Sequence, residues 1–130
     1  MDKTSWNERY SGSDLVWPTS PNRWVVAQLE GHIPGDALDL GCGEGRNAMW
    51  LAEQGWDAVG VDISPTAVRR GQAAAEDRGL AGRARFVAEG AFRAGHGPRW
   101  PFPTATFPRP AVRAGLCARC PATALRSRVA

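Results

Sequence analysis

One short stretch of the chain constrains the fold more than any other. It runs from residue 37 to residue 46 with the sequence ALDLGCGEGR, an apolar segment followed by glycines at positions 41, 43 and 45. Alternate glycines permit a sharp turn, keep side chains away from a ligand and direct the amides of a following helix at it. The stretch therefore predicts a β-strand, a ligand-binding turn and a helix in succession.

A second predicted strand ends in an acid. Val59-Gly60-Val61-Asp62 is a short, largely apolar run that finishes in an aspartate. In nucleotide-binding α/β proteins, an acid placed at this distance beyond the glycine turn accepts hydrogen bonds from ribose hydroxyls. The two strand ends together predict a pocket for a nucleotide-type cofactor.

Helices and strands alternate around these strand ends. Ser20-Pro21 and Ser64-Pro65 each predict an N-cap followed by a first-turn proline, and Trp24 is predicted on the buried stripe of the first of these helices. After a short helix near Trp6, the predicted helices span 21–30, 46–54 and 65–78, and the predicted strands span 37–40, 57–62 and 83–88. This order predicts an α/β fold, a βαβαβ unit with a parallel sheet and right-handed crossovers.

Charge divides the chain near residue 90. Residues 1–90 contain all 13 acidic residues and nine of the 16 basic ones, whereas residues 91–130 contain seven arginines, six prolines and no acid. The net charge of +3 thus reflects the C-terminal part and gives no ground for predicting a nucleic-acid binder. We expect residues 1–90 to form the folded domain and residues 91–130 an irregular, largely disordered tail.

Several classes of protein are disfavoured by what the sequence lacks. No long apolar run or secretory leader is present, so we expect a cytoplasmic protein without a membrane segment. Cys117 and Cys120 form a C-x-x-C motif without two further ligands at zinc spacing, so no metal site is predicted. The tail arginines lack interleaved aromatic residues, which favours a solvated tail over a specific nucleic-acid-binding arm.

Two motifs carry a resemblance to a known family. Residues 38–47, LDLGCGEGRN, followed by residues 60–64, GVDIS, resemble the cofactor half of the class I S-adenosylmethionine-dependent methyltransferases, in particular the small tellurite-resistance and thiopurine-type branch. Trp6, Tyr10 and Trp17 add to the resemblance, since similar proteins open with an aromatic segment that folds over the cofactor. The resemblance covers residues 5–89. It implies a Rossmann-like fold, S-adenosylmethionine as the cofactor and methyl transfer to a small-molecule acceptor.

The resemblance also implies roles for the residues at the two strand ends. Gly41 and Gly43 would let the backbone pass close to the methionine and ribose portions of the cofactor. Asp62 would bind the two ribose hydroxyls and Ile63 would pack on the adenine. The alternative for Asp62 is a turn aspartate before the next helix.

Three further positions are more ambiguous. Asp39 would either order the glycine loop or reach the amino group of the cofactor. Arg46 would either face the cofactor's carboxylate or be a solvated helix residue. Glu89 stands where the family has a polar residue that binds the adenine amino group, although aspartate is more usual there and an exposed loop glutamate is the alternative. No catalytic residue is recognisable.

Glycine spacing separates this chain from nicotinamide-dependent oxidoreductases. A pyrophosphate-binding turn has the spacing Gly-x-Gly-x-x-Gly, whereas this chain has Gly41, Gly43 and Gly45 followed directly by Arg46. S-adenosylmethionine carries no phosphate and requires close backbone approach at its methionine end. Methyltransferase is therefore the better interpretation.

The family pattern stops after the third strand. The abrupt change to arginine, proline and alanine is what a reading-frame shift or a truncated gene near residues 86–92 would produce. A three-stranded parallel sheet exposes an edge where a fourth strand would pair, so we expect marginal stability or self-association through that edge. The alternative to an active enzyme is a non-catalytic cofactor-binding fragment that pairs with a partner there.

Overall fold

The computed structural model describes residues 2–12, 14–16 and 18–88, together with the backbone of residues 112–114 and 123–127. These parts of the chain contain four helices and five strands. In chain order they are α1 (Lys3–Arg9), α2 (Arg23–Leu29), β1 (Gly35–Leu40), α3 (Arg46–Glu53), β2 (Asp57–Asp62), α4 (Pro65–Asp77), β3 (Ala84–Ala88), β4 (Val112–Ala114) and β5 (Thr123–Ser127).

One mixed sheet organises the domain, with the strand order β3-β2-β1-β5-β4. Strands β1, β2 and β3 are parallel, and their register places Asp39 beside Gly60 and Gly60 beside Phe86. The predicted parallel βαβαβ unit is thus confirmed. Because parallel strands end at the same edge of a sheet, the residues after β1 and β2 lie side by side there.

The two faces of the sheet carry different residues, since successive strand residues point to opposite sides. On one face, Ala37 and Ala58 pack against α2 and α3. Their buried partners in this core are Val25, Leu29, Ala48, Leu51 and Trp56. The opposite face carries the buried residues Leu38, Val59 and Val61. Helix α4 lies on the same face as α3, because its Ala75 clusters with Met49 and Ala52 of α3. This face also carries Asp39, Gly60 and Asp62.

Helix α4 begins as the sequence predicts, whereas α2 does not. Ser64 caps α4, accepting a hydrogen bond from the amide of Ala67, and Pro65 lies in the first turn. Helix α2 begins only after Asn22, whose side chain accepts a hydrogen bond from the Trp24 amide at 2.9 Å. The predicted cap at Ser20-Pro21 is therefore wrong.

The burial predicted for Trp24 is also wrong, because its side chain is 45% exposed. Helix α2 has seven residues, about two turns. A helix this short presents a single narrow stripe to the core. Val25 and Leu29, which are one turn apart, fill that stripe and leave Trp24 on the outer side.

The predicted tail is described only in part. Most of residues 91–130, with Cys117 and Cys120, and also Glu89, lie outside the described residues. The two described segments are strands, and β5 pairs antiparallel with β1 from Gly35 to Asp39. The expectation of an exposed edge where a fourth strand would pair is wrong for the β1 side of the parallel strands, because the backbone there pairs with β5. Self-association of the chain stays a prediction.

The described residues contain neither a membrane-spanning helix nor a cluster of metal-binding side chains. None of the helices among them has the length and apolar character needed to cross a membrane. No three His, Cys, Asp or Glu residues in the same part of the chain lie close enough together to hold a metal ion.

Candidate functional site

The glycine loop, residues 41–45, turns sharply at the carboxyl end of β1. Gly41, Gly43 and Gly45 have φ values of 69°, 56° and 86°, in the left-handed region that residues with a side chain rarely adopt. The amides of Gly41 and Cys42 donate to the carbonyl oxygen of Val61 at 2.7 and 3.1 Å. These bonds hold the beginning of the loop against the end of β2.

Asp62 connects the two strand ends. One of its carboxylate oxygens accepts a hydrogen bond from the Gly43 amide at 2.9 Å, and the other accepts one from the Ser64 amide, also at 2.9 Å. The residue is 8% exposed. Asp62 thus forms the turn before α4 and also holds the glycine loop, a contact that the sequence analysis missed.

Asp39 is completely buried, at 0% exposure. Burial first, and then the charges of Asp39 and Asp62, raise the pKa of the Cys42 thiol well above its usual value of 9.0. Asp39 lies in β1, two residues before Gly41. Both roles left open for Asp39, ordering of the loop and contact with the amino group of the cofactor, stay predictions.

The ring of Phe86 supports the glycine loop on the face of the sheet that α3 and α4 cover. A Cβ atom on Gly45 would lie 2.3 Å from Cε1 of Phe86, and one on Gly60 would lie 2.8 Å from both Phe86 Cδ1 and Cys42 Sγ. A Cβ atom on Gly71 of α4 would lie 3.1 Å from the same ring. Three glycines from the loop, β2 and α4 therefore leave the space that this ring fills.

Arg46 and Ile63 flank the two strand ends. Ile63 is half-buried directly after Asp62. Arg46 is also half-buried and is the first residue of α3. It lines a small cavity of about 60 Å³ between α3, α4 and the part of the chain that precedes α2, whose other described lining residues are Leu15, Pro18, Thr19, Cys42, Glu44, Met49, Arg70, Ala74 and Arg78. The predicted contact of Arg46 with the cofactor stays a prediction.

The site contains polar residues that the sequence analysis did not identify. Glu44, inside the glycine loop, is only 8% exposed and forms an ion pair with Arg70 of α4 at 2.8 Å. Asn47, at the start of α3, accepts a hydrogen bond from the Asn22 amide at 2.8 Å. For Glu44, the only signal in the sequence is that an acid stands inside a glycine turn. Its partner Arg70 is 26 positions away, so no local pattern predicts the pair.

A family model described as "Methyltransferase domain" matches residues 37–121. The match covers most of β1, the glycine loop and Asp62, and it continues past residue 90, beyond the predicted end of the family pattern. It therefore extends over more than half of the chain.

Three curated proteins are similar to parts of the chain. A 2-heptyl-1-hydroxyquinolin-4(1H)-one methyltransferase from Mycobacteroides abscessus is 49% identical over 39% of this chain and 22% of its own length. A ribosomal RNA small subunit methyltransferase C from Alcanivorax borkumensis is 43% identical over 45% of this chain and 19% of its own. A thiopurine S-methyltransferase from Xanthomonas campestris pv. campestris is 35% identical over 52% of this chain and 33% of its own.

Among solved structures, one from work on the conversion of a disulfide bond into a thioacetal group during echinomycin biosynthesis superposes with a TM-score of 0.58. It is 32% identical over 68% of this chain and 39% of its own. The chain thus spans a third or less of these curated relatives and about two fifths of this structure. The family match, the parallel βαβαβ unit and the glycine loop agree, and the chain belongs to the class I S-adenosylmethionine-dependent methyltransferases.

Proposed function

We propose that this chain is the cofactor-binding part of an enzyme that transfers a methyl group from S-adenosylmethionine to a small molecule. The observation that carries the proposal is the contact of Asp62 with the Gly43 amide at 2.9 Å. It sets an acid from the end of β2 against the glycine loop after β1, the two groups that a ribose-containing ligand requires.

The residues present suit this cofactor. Each oxygen of the Asp62 carboxylate accepts one backbone hydrogen bond, and each has a second lone pair for one of the two ribose hydroxyls. The left-handed glycines at 41 and 43 leave the loop without side chains on the side that the methionine portion would approach. Ile63 offers an apolar side chain beside Asp62 for the adenine.

S-adenosylmethionine, when bound, supplies a methyl group that its sulfonium makes electrophilic. The chain would then orient the cofactor and exclude water, and methyl transfer needs little further chemistry from the protein. Cys42 is not a candidate nucleophile, because its thiol is buried and its raised pKa keeps it protonated at neutral pH. We assign no other catalytic residue.

Two relatives named for small substrates support a small-molecule acceptor, whereas the ribosomal RNA methyltransferase represents the alternative. Residues 1–90, which hold the proposed cofactor site, carry nine basic and 13 acidic residues. A net negative domain repels the phosphate backbone of RNA.

We also propose a cytoplasmic location, with which the free, buried thiol of Cys42 agrees.

Calorimetric titration with S-adenosylmethionine tests the cofactor site. We expect micromolar binding by the unmodified chain and a loss of roughly a hundredfold in affinity for Asp62→Ala, since two hydrogen bonds to a charged group are removed. Asp57→Asn is the matched control, because this acid lies at the opposite end of the same strand. A folded chain that binds no cofactor, or an Asp62→Ala variant that binds as tightly as the unmodified chain, would overturn the proposal.

A further inference from the structure

Glu44 uses both of its carboxylate oxygens for contacts outside the glycine loop. Oε1 forms the ion pair with Nη1 of Arg70 at 2.8 Å, and Oε2 accepts a hydrogen bond from the Val16 amide at 3.0 Å. The backbone of Glu44 belongs to the loop, whereas its two partners belong to α4 and to the N-terminal segment, residues 2–22. One buried side chain therefore joins three elements.

Arg70 strengthens the same junction. Its Nη1 also donates to the carbonyl oxygen of Asp14 at 3.1 Å, and its Nη2 donates to the carbonyl oxygen of Gly12. The guanidinium thus binds two backbone groups of the N-terminal segment in addition to Glu44, in the fork geometry that only arginine offers. Together, Glu44 and Arg70 contact the segment at residues 12, 14 and 16.

The position of Glu44 gives this junction a consequence for the cofactor site. Its neighbour Gly43 donates its amide to Asp62, while the side chain of Glu44 is held by Arg70 and Val16. The loop is thereby held at two adjacent residues by different parts of the molecule. Loss of the Glu44 contacts would leave Asp62 as the one side chain that holds this part of the loop among the contacts described above.

We propose that Glu44 and Arg70 are positioning residues, which make the affinity for the cofactor depend on the docking of residues 12, 14 and 16. Neither side chain needs to touch the cofactor for this effect. The inference rests on the proposed function, because it concerns how the same loop is held for S-adenosylmethionine.

A carboxylate is required at position 44. Glutamine of the same size has one carbonyl oxygen and one NH₂ group, so it satisfies either Arg70 or the Val16 amide and turns a donor toward the other. Such a mismatch in a largely buried site weakens the contact more than the loss of an exposed charge would. Glu44→Gln is therefore a small change in volume with a specific effect on the junction.

The experiment compares Glu44→Gln, Arg70→Met and the double variant with the unmodified chain. Calorimetry measures the affinity for S-adenosylmethionine, and hydrogen exchange measures the protection of the Val16 amide with and without cofactor. Glu53→Gln is the matched control, since it removes the same charge from an exposed pair, in which Glu53 lies 3.7 Å from Arg78.

We expect each single variant to bind the cofactor roughly tenfold more weakly and to exchange the Val16 amide faster by a similar factor. The double variant should be no weaker than the weaker single variant, because both changes break the same junction. In the unmodified chain, the cofactor should slow exchange at Val16, and this response should be absent in Glu44→Gln. Exchange at Leu38 and Val59 in the sheet should accelerate much less than exchange at Val16.

Two results would overturn the proposed coupling between the junction and cofactor affinity but not the proposed function. The first is an unchanged cofactor affinity in Glu44→Gln although the Val16 amide exchanges faster. The second is equal acceleration of exchange at Val16, Leu38 and Val59, which would indicate general destabilisation. A folded, unmodified chain that does not bind S-adenosylmethionine would overturn the coupling together with the proposed function. The control variant separates these cases from an effect of charge in general.

Discussion

The glycine loop and the N-terminal segment meet at Glu44, yet they are held in place in different ways. The loop is fixed by residues close to it in the sheet, through left-handed glycines, the carbonyl of Val61 and the carboxylate of Asp62. The segment is attached by polar contacts that span 25 to 59 positions of the sequence and by the buried ring of Tyr10, which is 2% exposed. Helix α1 itself has no buried residue.

Because they are held differently, the loop and the segment need different free energies to open. A loop that fills its space with backbone and an aromatic ring moves only when the core rearranges. A segment held by a few polar contacts and one buried ring opens locally at a cost below that of global unfolding. Changes in the loop should therefore reduce the stability of the whole domain, whereas changes in the segment should reduce only its attachment.

The largest effect is expected from Gly45→Ala. Its Cβ atom would lie 2.3 Å from Phe86, at a φ of 86°, so overpacking of about 1–3 kcal/mol adds to about 1–2 kcal/mol of backbone strain. The free energy of unfolding, measured with urea, should fall by about 2–5 kcal/mol.

Gly79→Ala is the control for the backbone strain that a side chain causes at positive φ. Gly79 has a similar φ of 69°, but a Cβ atom there would meet nothing within 4 Å. This variant should lose only about 1–2 kcal/mol. Combining Gly45→Ala with Phe86→Leu should recover part of the loss, and equal losses for Gly45→Ala and Gly79→Ala would show that the ring does not hold the loop.

A smaller effect, confined to the segment, is expected from Asn7→Ala. Oδ1 of Asn7 accepts hydrogen bonds from the Ser64 hydroxyl at 3.1 Å and from the Thr66 amide at 3.2 Å. Loss of both should weaken the attachment of α1 by about 2 kcal/mol, given about 1 kcal/mol for each bond. Limited trypsin digestion should then cleave after Arg9 faster, while the urea midpoint of the domain changes little.

Asn7→Asp is the matched variant for this attachment. It keeps an oxygen for both donors and adds a negative charge at the beginning of α4, where the helix dipole favours it. Its cleavage rate should equal or fall below that of the unmodified chain. If both variants are cleaved at the unmodified rate, Asn7 does not attach the segment.

The same contrast explains how far the sequence predicted the molecule. The parallel βαβαβ unit and the ends of β1 and β2 were predictable because the glycine spacing and the alternation of apolar residues are local signals. The contacts of Glu44 with Arg70 and Val16 were not, because they join polar residues that no periodicity relates. The start of α2 was misplaced because Ser20-Pro21 and Asn22 are both good caps, and tertiary contacts select between them.

The pH dependence of stability tests whether the Cys42 thiol is buried beneath the glycine loop. The pKa of Cys42 is raised well above 9.0 by burial and by the charges of Asp39 and Asp62, so the folded chain retains a proton that the unfolded chain releases. This contribution is complete below pH 9 and is lost as the pH rises above it. Stability should fall by about 1.4 kcal/mol per pH unit there.

Cys42→Ala isolates this contribution from other groups that titrate in alkali. The difference in free energy of unfolding between the unmodified chain and this variant should be constant up to about pH 8.5 and shrink above it. Urea titrations at several pH values measure it. A difference that does not depend on pH would mean that the thiol is not shielded beneath the loop.

The smallest effect is expected at the second ion pair of the described residues, and it shows which feature of Glu44 matters. Arg78 and Glu53 are 3.7 Å apart with side chains 38% and 47% exposed, whereas the side chain of Glu44 is 9% exposed. Solvent screens an exposed pair, so Glu53→Gln should change the urea stability by less than about 0.5 kcal/mol. Glu44→Gln removes the same charge but leaves a buried donor facing another donor, and it should cost more. Equal effects of the two substitutions would mean that the junction at Glu44 acts as a surface charge pair and not as the point at which the N-terminal segment holds the loop.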